Sequence, residues 1–351
     1  LPAIEDAVAL AARIHADFEM PLVLGEGEHL LSVSIGVAEA TPDEIVSGGV
    51  MMSRADMAMY TAKRGNGTRT VAFDDTMRAE AARLLEVERE LRAALRDGRI
   101  VPYFQPIFTP DGDLVAFEAL ARWEHPERGV LLPREFLDVA SESGCMPELN
   151  RQILRRACEL GVAWNARRER PVSVLVNLAE ELLLAPAFHA DVTAILEQTG
   201  LPPRLLTLEI SEDTVLSRLS PDLHELRRLS NLGIRLAIDD FGSGRSSLLA
   251  LSDLDMVTVL KLDRAFVQKL PGHEPTQTVF LAVRDIARSF GMHLVAEGVE
   301  TEEEAARLVD LGVDYVQGYL YGRPAPAHVA SALVDASVTS PTQGATSATS
   351  R

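Results

Sequence analysis

Eight short apolar runs, separated by helical segments, each end on a polar side chain of the kind that binds metals or transfers protons. An ionised side chain buried at the end of a strand is costly unless a partner neutralises it. Eight such ends in series therefore predict one site assembled from eight strand ends. In chain order, the polar residues are Gln105, Glu118, Asn177, Glu209, Asp239 with Asp240, Lys261, Glu297 and Gln317.

The apolar runs alternate with helical patterns between residues 99 and 335. Strand and helix repeated eight times over a segment of this length predict an α/β fold, a (β/α)8 TIM-type barrel. The active sites of such barrels lie at the C-terminal ends of the strands, where these polar residues fall. The segments with the clearest helical pattern are 133–144, 148–167, 222–233, 277–291 and 301–312.

Length, charge and cysteine content narrow the class of protein. A chain of 351 residues allows about two domains. The net charge of −18 argues against a surface for a nucleic-acid polymer, but a small anionic ligand stays possible if divalent metals reverse the local field. No apolar stretch approaches the roughly 20 residues of a membrane span. Cys145 and Cys158 lack metal-ligand spacing and are expected as buried or free thiols in a reducing cytoplasm.

The N-terminal 75 residues predict a small, partial α/β segment. Alternation over 30–40 indicates a strand, and residues 71–73 could form a closing strand. Residues 53–64 indicate a helix that begins at Ser53. The face that we expect this helix to bury comprises Ala55, Met59 and Ala62.

A connector helix is predicted over 76–98, because apolar residues form a stripe and Gly98 ends the pattern. The stripe comprises Leu84, Leu85, Val87, Leu91, Ala94 and Leu95. The helix either packs on the following domain or serves as a signalling connector or dimer coil, and it holds too few heptads to decide. Residues 336–351 are rich in Ser, Thr and Ala, and we expect them to form a disordered tail.

Oxygen donors dominate the predicted site. Hard oxygen ligands suit Mg²⁺ or Mn²⁺ rather than zinc or copper, and adjacent acids can bridge two ions. Two ions held close together are the usual device for hydrolysing a phosphodiester, although one ion is also possible here. The five expected metal ligands are Glu118, Asn177, Glu209, Asp239 and Asp240.

Lys261 allows three interpretations: a salt bridge at the barrel rim, a Schiff-base nucleophile, or an ammonium that orients water. Nearby carboxylates raise a lysine's pKa, which disfavours the Schiff base. Glu297 is a candidate general base or additional metal ligand, and Arg122 could bind a phosphate oxygen. The segment 239–247 is either a simple turn or a mobile loop that couples the site to a partner surface.

Motifs throughout the barrel resemble the EAL-domain family. They are found at 117–123, 176–178, 208–213, 237–248, 260–267, 295–301 and 316–324. The resemblance implies a metal-dependent phosphodiesterase that opens cyclic di-GMP to the linear dinucleotide pGpG. It also implies a barrel whose first strand runs antiparallel to the others, and a homodimer formed through the barrel.

The resemblance further assigns roles to individual positions. It implies metal ligation by the five oxygen donors, with Lys261 and Glu297 binding or activating water and Glu297 as the general base. Gln317 would position that water, and Glu212 would brace the loop after Asp240. Substrate contacts are implied for Gln105, Glu118, Arg122, Asp263 and Glu300. Two positions depart from the family pattern, Arg245 and Ser141.

Residues 32–40 and 55–67 resemble the C-terminal half of a GGDEF (diguanylate cyclase) domain. The signature of that family would precede Leu1, so we expect a piece of a longer protein, such as the cytoplasmic part of a sensor, without cyclase activity. Two alternatives to the phosphodiesterase stay open. One is a non-hydrolysing or conditionally active cyclic di-GMP receptor, and the other is a barrel lyase with Lys261 as its Schiff-base residue.

Overall fold

A computed structural model provides the fold, and its described residues fall into two compact units, Leu1–Glu90 and Leu91–Arg351. The described residues are 4–18, 20, 22–24, 27–29, 31–40, 46–64, 69–183, 185, 187–212, 214, 223–242 and 254–339.

The first unit holds two small sheets in its described part. β1 pairs antiparallel with β2, and β3 pairs parallel with β4. The elements are the helix Ile4–Phe18, β1 (Leu22–Leu24), β2 (Gly27–His29), β3 (Ser34–Val37), the helix Gly48–Arg64 and β4 (Arg69–Ala72). β3 lies within the region 30–40 where alternation indicated a strand, and β4 overlaps the closing strand suggested at 71–73 but begins two residues earlier. The first helix and the β1–β2 pair were not predicted.

The helix Gly48–Arg64 differs from the prediction in two ways. It begins before Ser53, so Ser53 does not cap it. Its fully buried side chains are Ala58 and Ala62, whereas Met59 is 43% exposed. A Cβ on Gly36 of β3 would lie 2.0 Å from the carbonyl oxygen of Ala55. The strand therefore meets the helix backbone directly, which leaves no room for a large side chain there.

The helix expected over 76–98 is observed as Asp75–Arg96. It begins where Asp74 Oδ1 accepts hydrogen bonds from the backbone N–H groups of Thr76 and Met77, at 2.8 and 3.1 Å. Leu91 is fully buried in the second unit. Leu85 was expected on the apolar stripe but is 67% exposed, so the stripe is narrower than the prediction.

The second unit is a closed barrel of eight strands with helices around it. β5 pairs antiparallel with both β6 and β13, and the other barrel pairings are parallel. The fold prediction, including the antiparallel first strand, is confirmed. The strands of the second unit are β5 (Ile100–Phe108), β6 (Leu114–His125), β7 (Gly129–Leu131), β8 (Ser173–Asn177), β9 (Leu206–Ser211), β10 (Arg235–Phe241), β11 (Val257–Leu262), β12 (His293–Ala296), β13 (Tyr315–Val316) and β14 (Ala325–Pro326). β7 pairs with β6 and β14 pairs with β5, and neither belongs to the eight barrel strands.

Helices follow the strands as the sequence indicated. They are Leu137–Glu142, Met146–Asn165, Glu180–Leu183, Phe188–Thr199, Leu223–Asn231, Arg264–Val267, Glu274–Ser289, Glu302–Leu311 and Ala327–Thr339. The last helix corrects one prediction, because residues 336–339 belong to it and not to a disordered tail. The rest of that tail lies outside the described residues. Cys145 and Cys158 are buried free thiols, as expected.

An apolar layer inside the barrel lies directly below the polar residues, along the barrel axis. Its buried members are Ile107, Ala116, Leu175, Ala237, Val259 and Val295. Side chains two positions apart on a strand share a face, so the next residue on the inner face toward the mouth lies above this layer. On β6 that residue is Glu118, on β11 Lys261, and on the reversed β5 it is Gln105.

The expectation that every polar residue ends a strand was wrong for two positions. Gln105 and Glu118 lie in the middle of β5 and β6, where they oppose each other in the antiparallel ladder. β6 continues past Glu118 because its later residues pair with β5 and β7. Asn177 is the last residue of β8, as the sequence indicated.

Candidate active site

A buried lysine lies at the mouth of the barrel among four carboxylates. The Lys261 side chain is only 1% exposed. Its Nζ lies 2.5 Å from Glu297 Oε1 and 2.7 Å from Glu209 Oε1. The same Nζ lies 3.0 Å from Asp239 Oδ1 and 3.4 Å from Glu118 Oε2. Residues from β6, β9, β10 and β11, together with the residue after β12, therefore meet at one point.

The carboxylates keep Lys261 protonated. Burial by itself lowers the pKa of Lys261, because the ammonium loses its hydration. The surrounding carboxylates, Glu118 and Glu209 foremost, outweigh burial and raise that pKa well above the ordinary value. A permanently charged ammonium argues against the Schiff-base lyase, since that chemistry starts from a neutral amine.

The acids themselves differ in pKa. Burial raises the pKa of Glu209 well above its usual range, and the charge of Glu118 adds to the rise. Burial also raises the pKa of Glu297 to about 8, against the opposing charge of Lys261. Burial favours a higher pKa for Glu118 too, but Lys261 and a hydrogen bond from Gln317 lower it overall. Glu118 is therefore ionised, while Glu297 titrates close to neutral pH.

Amide side chains connect these acids. Gln317 Nε2 donates to Glu118 Oε2 at 2.6 Å and to Gln105 Oε1 at 3.3 Å. Gln105 Nε2 donates in turn to the carbonyl of Gly322 at 3.1 Å. Asn177 Nδ2 donates to Glu118 Oε1 at 2.9 Å. Both oxygens of Glu118 thus have amide donors, which fixes the plane of its carboxylate.

A β-bulge brings two consecutive aspartates to the mouth. The pairing of β10 with β11 shifts register between Ile238 and Phe241, so Asp239 and Asp240 together oppose Lys261. Successive side chains of a regular strand would point to opposite faces. Asp240 departs from that alternation because its φ of 56° lies in the left-handed region, which non-glycine residues rarely adopt.

The oxygen atoms fit a divalent cation. Oxygens of Asp239, Asp240 and Glu297 all lie within 4.8 Å of one another. Glu209 Oε2 and Gln317 Oε1 are buried and accept no hydrogen bond from the described residues. Burial and the charge of Asp239 raise the pKa of Asp240, as expected where anions outnumber cations. Hard oxygen donors with excess negative charge are a suitable site for Mg²⁺ or Mn²⁺.

Arg122, expected to contact phosphate, follows Glu118 on the inner face of β6. Its side chain is 9% exposed, and Nη1 donates to the carbonyl of Ala121 at 2.7 Å. The guanidinium carbon lies 5.8 Å from the ring centre of Tyr103. Burial lowers the pKa of Arg122, yet a guanidinium stays charged in proteins. The site therefore keeps a positive group beside the acid cluster.

Two other residues expected at the nucleotide have protein partners. Asp263 Oδ1 accepts a hydrogen bond from the backbone N–H of Ala265 at 2.7 Å and caps the helix Arg264–Val267. Glu300 Oε1 forms an ion pair with Arg264 Nη2 at 3.0 Å. These contacts join the loop after β11 to the loop after β12, an arrangement that sequence spacing did not indicate.

Glu212 lies beside the loop that it was expected to brace. Its Oε2 accepts a hydrogen bond from the backbone N–H of Gly242 at 2.9 Å, and the side chain is buried. The contact holds the start of the loop after β10. Residues 243–247 of the predicted coupling loop, including Arg245, lie outside the described residues.

A family model described as the EAL domain matches residues 88–324. That match covers more than half of the sequence, and it contains every residue of the cluster around Lys261. The chain belongs to the EAL-domain family. The match begins after the segment that resembles a GGDEF domain, so that N-terminal resemblance stays a prediction.

Curated relatives of this EAL protein include large signalling proteins. An uncharacterized signaling protein of Caulobacter vibrioides is 37% identical over 325 residues, which are 91% of this chain and 39% of that protein. The bifunctional diguanylate cyclase/cyclic di-GMP phosphodiesterase MucR of Pseudomonas aeruginosa is 33% identical over 92% of this chain and 47% of its own length. The chain therefore spans about two fifths to half of these relatives.

Solved EAL structures share the fold. The PaMucR phosphodiesterase in complex with c-di-GMP superposes with a TM-score of 0.65 and 33% identity, over 70% of this chain and 99% of that one. The EAL domain of Mycobacterium smegmatis DcpA gives a TM-score of 0.56 and 32% identity, over 68% and 97% of the two chains. Among the helices that the structure describes, none combines the length and apolar character needed to cross a membrane.

One residue that supports the EAL site was missed at the sequence level. Glu304 is buried, and its Oε2 accepts hydrogen bonds from the backbone N–H groups of Glu300 and Thr301, at 2.8 and 3.1 Å. Thr301 Oγ1 accepts from the N–H of Glu304 in return, at 3.2 Å. The pattern Thr-x-x-Glu before a helix is the signal of such a capping box. It fixes the loop that follows Glu297.

Proposed function

We propose that this EAL domain hydrolyses cyclic di-GMP to linear pGpG in bacterial second-messenger signalling. The observation that carries the proposal is the buried Lys261 ammonium held by four carboxylates at the mouth of the barrel. The relationship to MucR, whose phosphodiesterase structure contains c-di-GMP, supports this choice of substrate.

We further propose that Mg²⁺ or Mn²⁺, as one or two ions, is the cofactor. A bound divalent cation supplies Lewis acidity and lowers the pKa of a coordinated water. The excess of carboxylates supports this assignment, as does the buried Oε2 of Glu209, which has no hydrogen-bond donor among the residues that the structure describes. The residues that would hold the metal are Glu118, Asn177, Glu209, Asp239 and Asp240.

Three residues around the proposed metal site would have separate roles in the reaction. Glu297, with a pKa of about 8, is suited to take the proton from water as it attacks phosphorus. Lys261 keeps Glu297 in place and presents a fixed positive charge toward developing negative charge. Gln317 has a buried oxygen with no donor among the described residues, which would accept a hydrogen bond from that water.

The substrate contacts are also proposals. Arg122 would bind a phosphate oxygen, because a guanidinium matches phosphate geometry. Gln105 and Glu118 would contact the nucleotide from the bottom of the opening at the C-terminal end of the barrel. Asp263 and Glu300 would shape the nucleotide pocket through the loops that they hold. Glu212 would brace the loop after β10.

The experiment that tests this function is incubation of the purified chain with cyclic di-GMP and either Mg²⁺ or Mn²⁺, followed by chromatography. We expect pGpG in both reactions and none after EDTA treatment. Tight binding of cyclic di-GMP with no product over hours would instead identify a receptor that needs another signal for activity.

The oligomeric state and the cellular location of the protein are also proposals. We propose a homodimer formed through the barrel, from the family resemblance, and a cytoplasmic site of action, from the two buried free thiols Cys145 and Cys158. Light scattering after size-exclusion chromatography tests the dimer, since a monomer mass at micromolar concentration would contradict it.

A further inference from the structure

At the end of β8, the pairing with β6 stops one residue before Asn177, whereas the pairing with β9 continues to Asn177. The parallel pairing of β6 with β8 ends where Ala119 meets Val176. On the other side, the N–H of Leu178 still donates to the carbonyl of Glu209 on β9 at 2.8 Å. Because successive strand residues direct their backbone groups to opposite neighbours, the carbonyl of Asn177 points toward β6 after that pairing has ended.

A side chain from the surrounding helices takes up this carbonyl. Asn150 lies on the helix Met146–Asn165 and is 7% exposed. Its Nδ2 donates to the carbonyl oxygen of Asn177 at 2.9 Å. A buried carbonyl without a donor is costly, so this contact fixes the peptide that follows Asn177. The polar Asn150 otherwise stands between the buried apolar side chains Leu149 and Ile153.

The fixed peptide determines where the Asn177 side chain can point. Asn177 Nδ2 donates to Glu118 Oε1, so the amide oxygen faces away from that carboxylate. We propose that Asn150 is a positioning residue for metal binding: it holds the Asn177 backbone so that the Asn177 amide oxygen is directed at a divalent cation. This inference rests on the proposed function, because it needs the metal site proposed above.

The same helix carries a matched control residue. Asn165 Nδ2 donates to the carbonyl of Val172 at 2.8 Å, and its Oδ1 accepts from the N–H of Val172 at 2.7 Å. Val172 directly precedes β8, at the opposite end from Asn177. Each asparagine therefore binds backbone at one end of β8 through its side-chain amide, and of the two Asn150 is the one beside the proposed metal ligands.

The test is calorimetric titration of Mn²⁺ into the full chain after metal removal. We expect Asn150→Leu to bind Mn²⁺ at least about 10-fold more weakly than the parent, as is typical when a partner of a metal ligand is removed. The rate at which Asn150→Leu hydrolyses cyclic di-GMP should recover as the Mn²⁺ concentration is raised to saturation. Asn165→Leu should lower the melting temperature while the Mn²⁺ affinity stays within about twofold of the parent.

Asn150→Ala guards against a steric defect in the leucine variant, because it removes the donor and adds neither bulk nor charge. It too should weaken Mn²⁺ binding. Parent-like Mn²⁺ affinity in both Asn150 variants, or equal losses in Asn150→Leu and Asn165→Leu, would overturn the inference alone if the parent binds Mn²⁺ and forms pGpG. A parent that binds no Mn²⁺ and forms no pGpG overturns the proposed function as well.

Discussion

Lys261 Nζ and Glu297 Oε1 lie 2.5 Å apart at the mouth of the barrel, the shortest of the four ion pairs that Lys261 makes. The pair joins a permanent ammonium to an acid whose pKa is raised to about 8. The ammonium holds the carboxyl group of Glu297 in a fixed position, and an acid whose pKa lies near the working pH is suited to general base catalysis once it is ionised.

Replacing the ammonium should abolish turnover. In Lys261→Met, which keeps the apolar stem, the four carboxylates lose the ammonium that they share, and we expect hydrolysis of cyclic di-GMP to fall at least about 100-fold. Lys269→Met is the matched control, because Lys269 is exposed and outside the cluster. Equal rates for the two variants, measured as pGpG formed per minute, would contradict the role of Lys261.

Replacing the base should separate binding from chemistry. Glu297→Gln keeps the size of the side chain but cannot take a proton, so we expect kcat to fall at least about 100-fold. Binding of cyclic di-GMP, measured by calorimetry, should stay within about threefold of the parent. Glu303→Gln, an exposed change on the neighbouring helix, controls for loss of charge. An unchanged kcat in Glu297→Gln would assign the base to another residue.

Loss of the capping box after Glu297 should lower the free energy of unfolding. Glu304→Ala leaves the N–H groups of Glu300 and Thr301 without their acceptor, and we expect unfolding free energy to fall by about 1–2 kcal/mol. Urea denaturation followed by circular dichroism measures this. Glu303→Ala removes an exposed carboxylate from the same helix turn and should change the free energy by under about 0.5 kcal/mol. Similar losses in both variants would contradict the capping role.

The raised carboxylate pKa values predict the pH dependence of stability without metal. Glu297 and Glu209 bind protons more tightly in the folded state than in the unfolded chain. Their contribution is therefore fully present below about pH 4.5 and is lost as the pH rises toward 8. We expect the melting temperature of the chelated protein to fall between pH 5 and 8, with a smaller slope in Glu297→Gln. A rising or flat profile for the chelated parent would contradict these shifts.

The strands could be predicted because each is a short apolar run between helical patterns, and parallel barrel strands place their C-terminal ends together. The same alternation could not show that β6 extends beyond Glu118, since that extension depends on pairing with β5 and β7. The residue types of the proposed metal site could be predicted for the same reason as the strands, because each lies at or near the end of an apolar run.

Other parts of the site depend on tertiary contacts that spacing does not encode. The bulge at Asp239 and Asp240 follows from the register between β10 and β11. The ion pair of Arg264 with Glu300 joins two loops that are distant in sequence. The contact of Asn150 with the Asn177 carbonyl arises where a helix crosses the end of a strand, so a helical pattern alone marks Asn150 only as a polar residue on an apolar face.

We propose that this carboxylate cluster holds the divalent cation used in hydrolysis. The most direct measurement is anomalous diffraction at the manganese edge from crystals of Glu297→Gln soaked with Mn²⁺ and cyclic di-GMP. We expect a manganese peak bounded by Glu118, Asp239 and a phosphate oxygen of the nucleotide. Cyclic di-GMP bound at the barrel mouth with no manganese at these residues would contradict it.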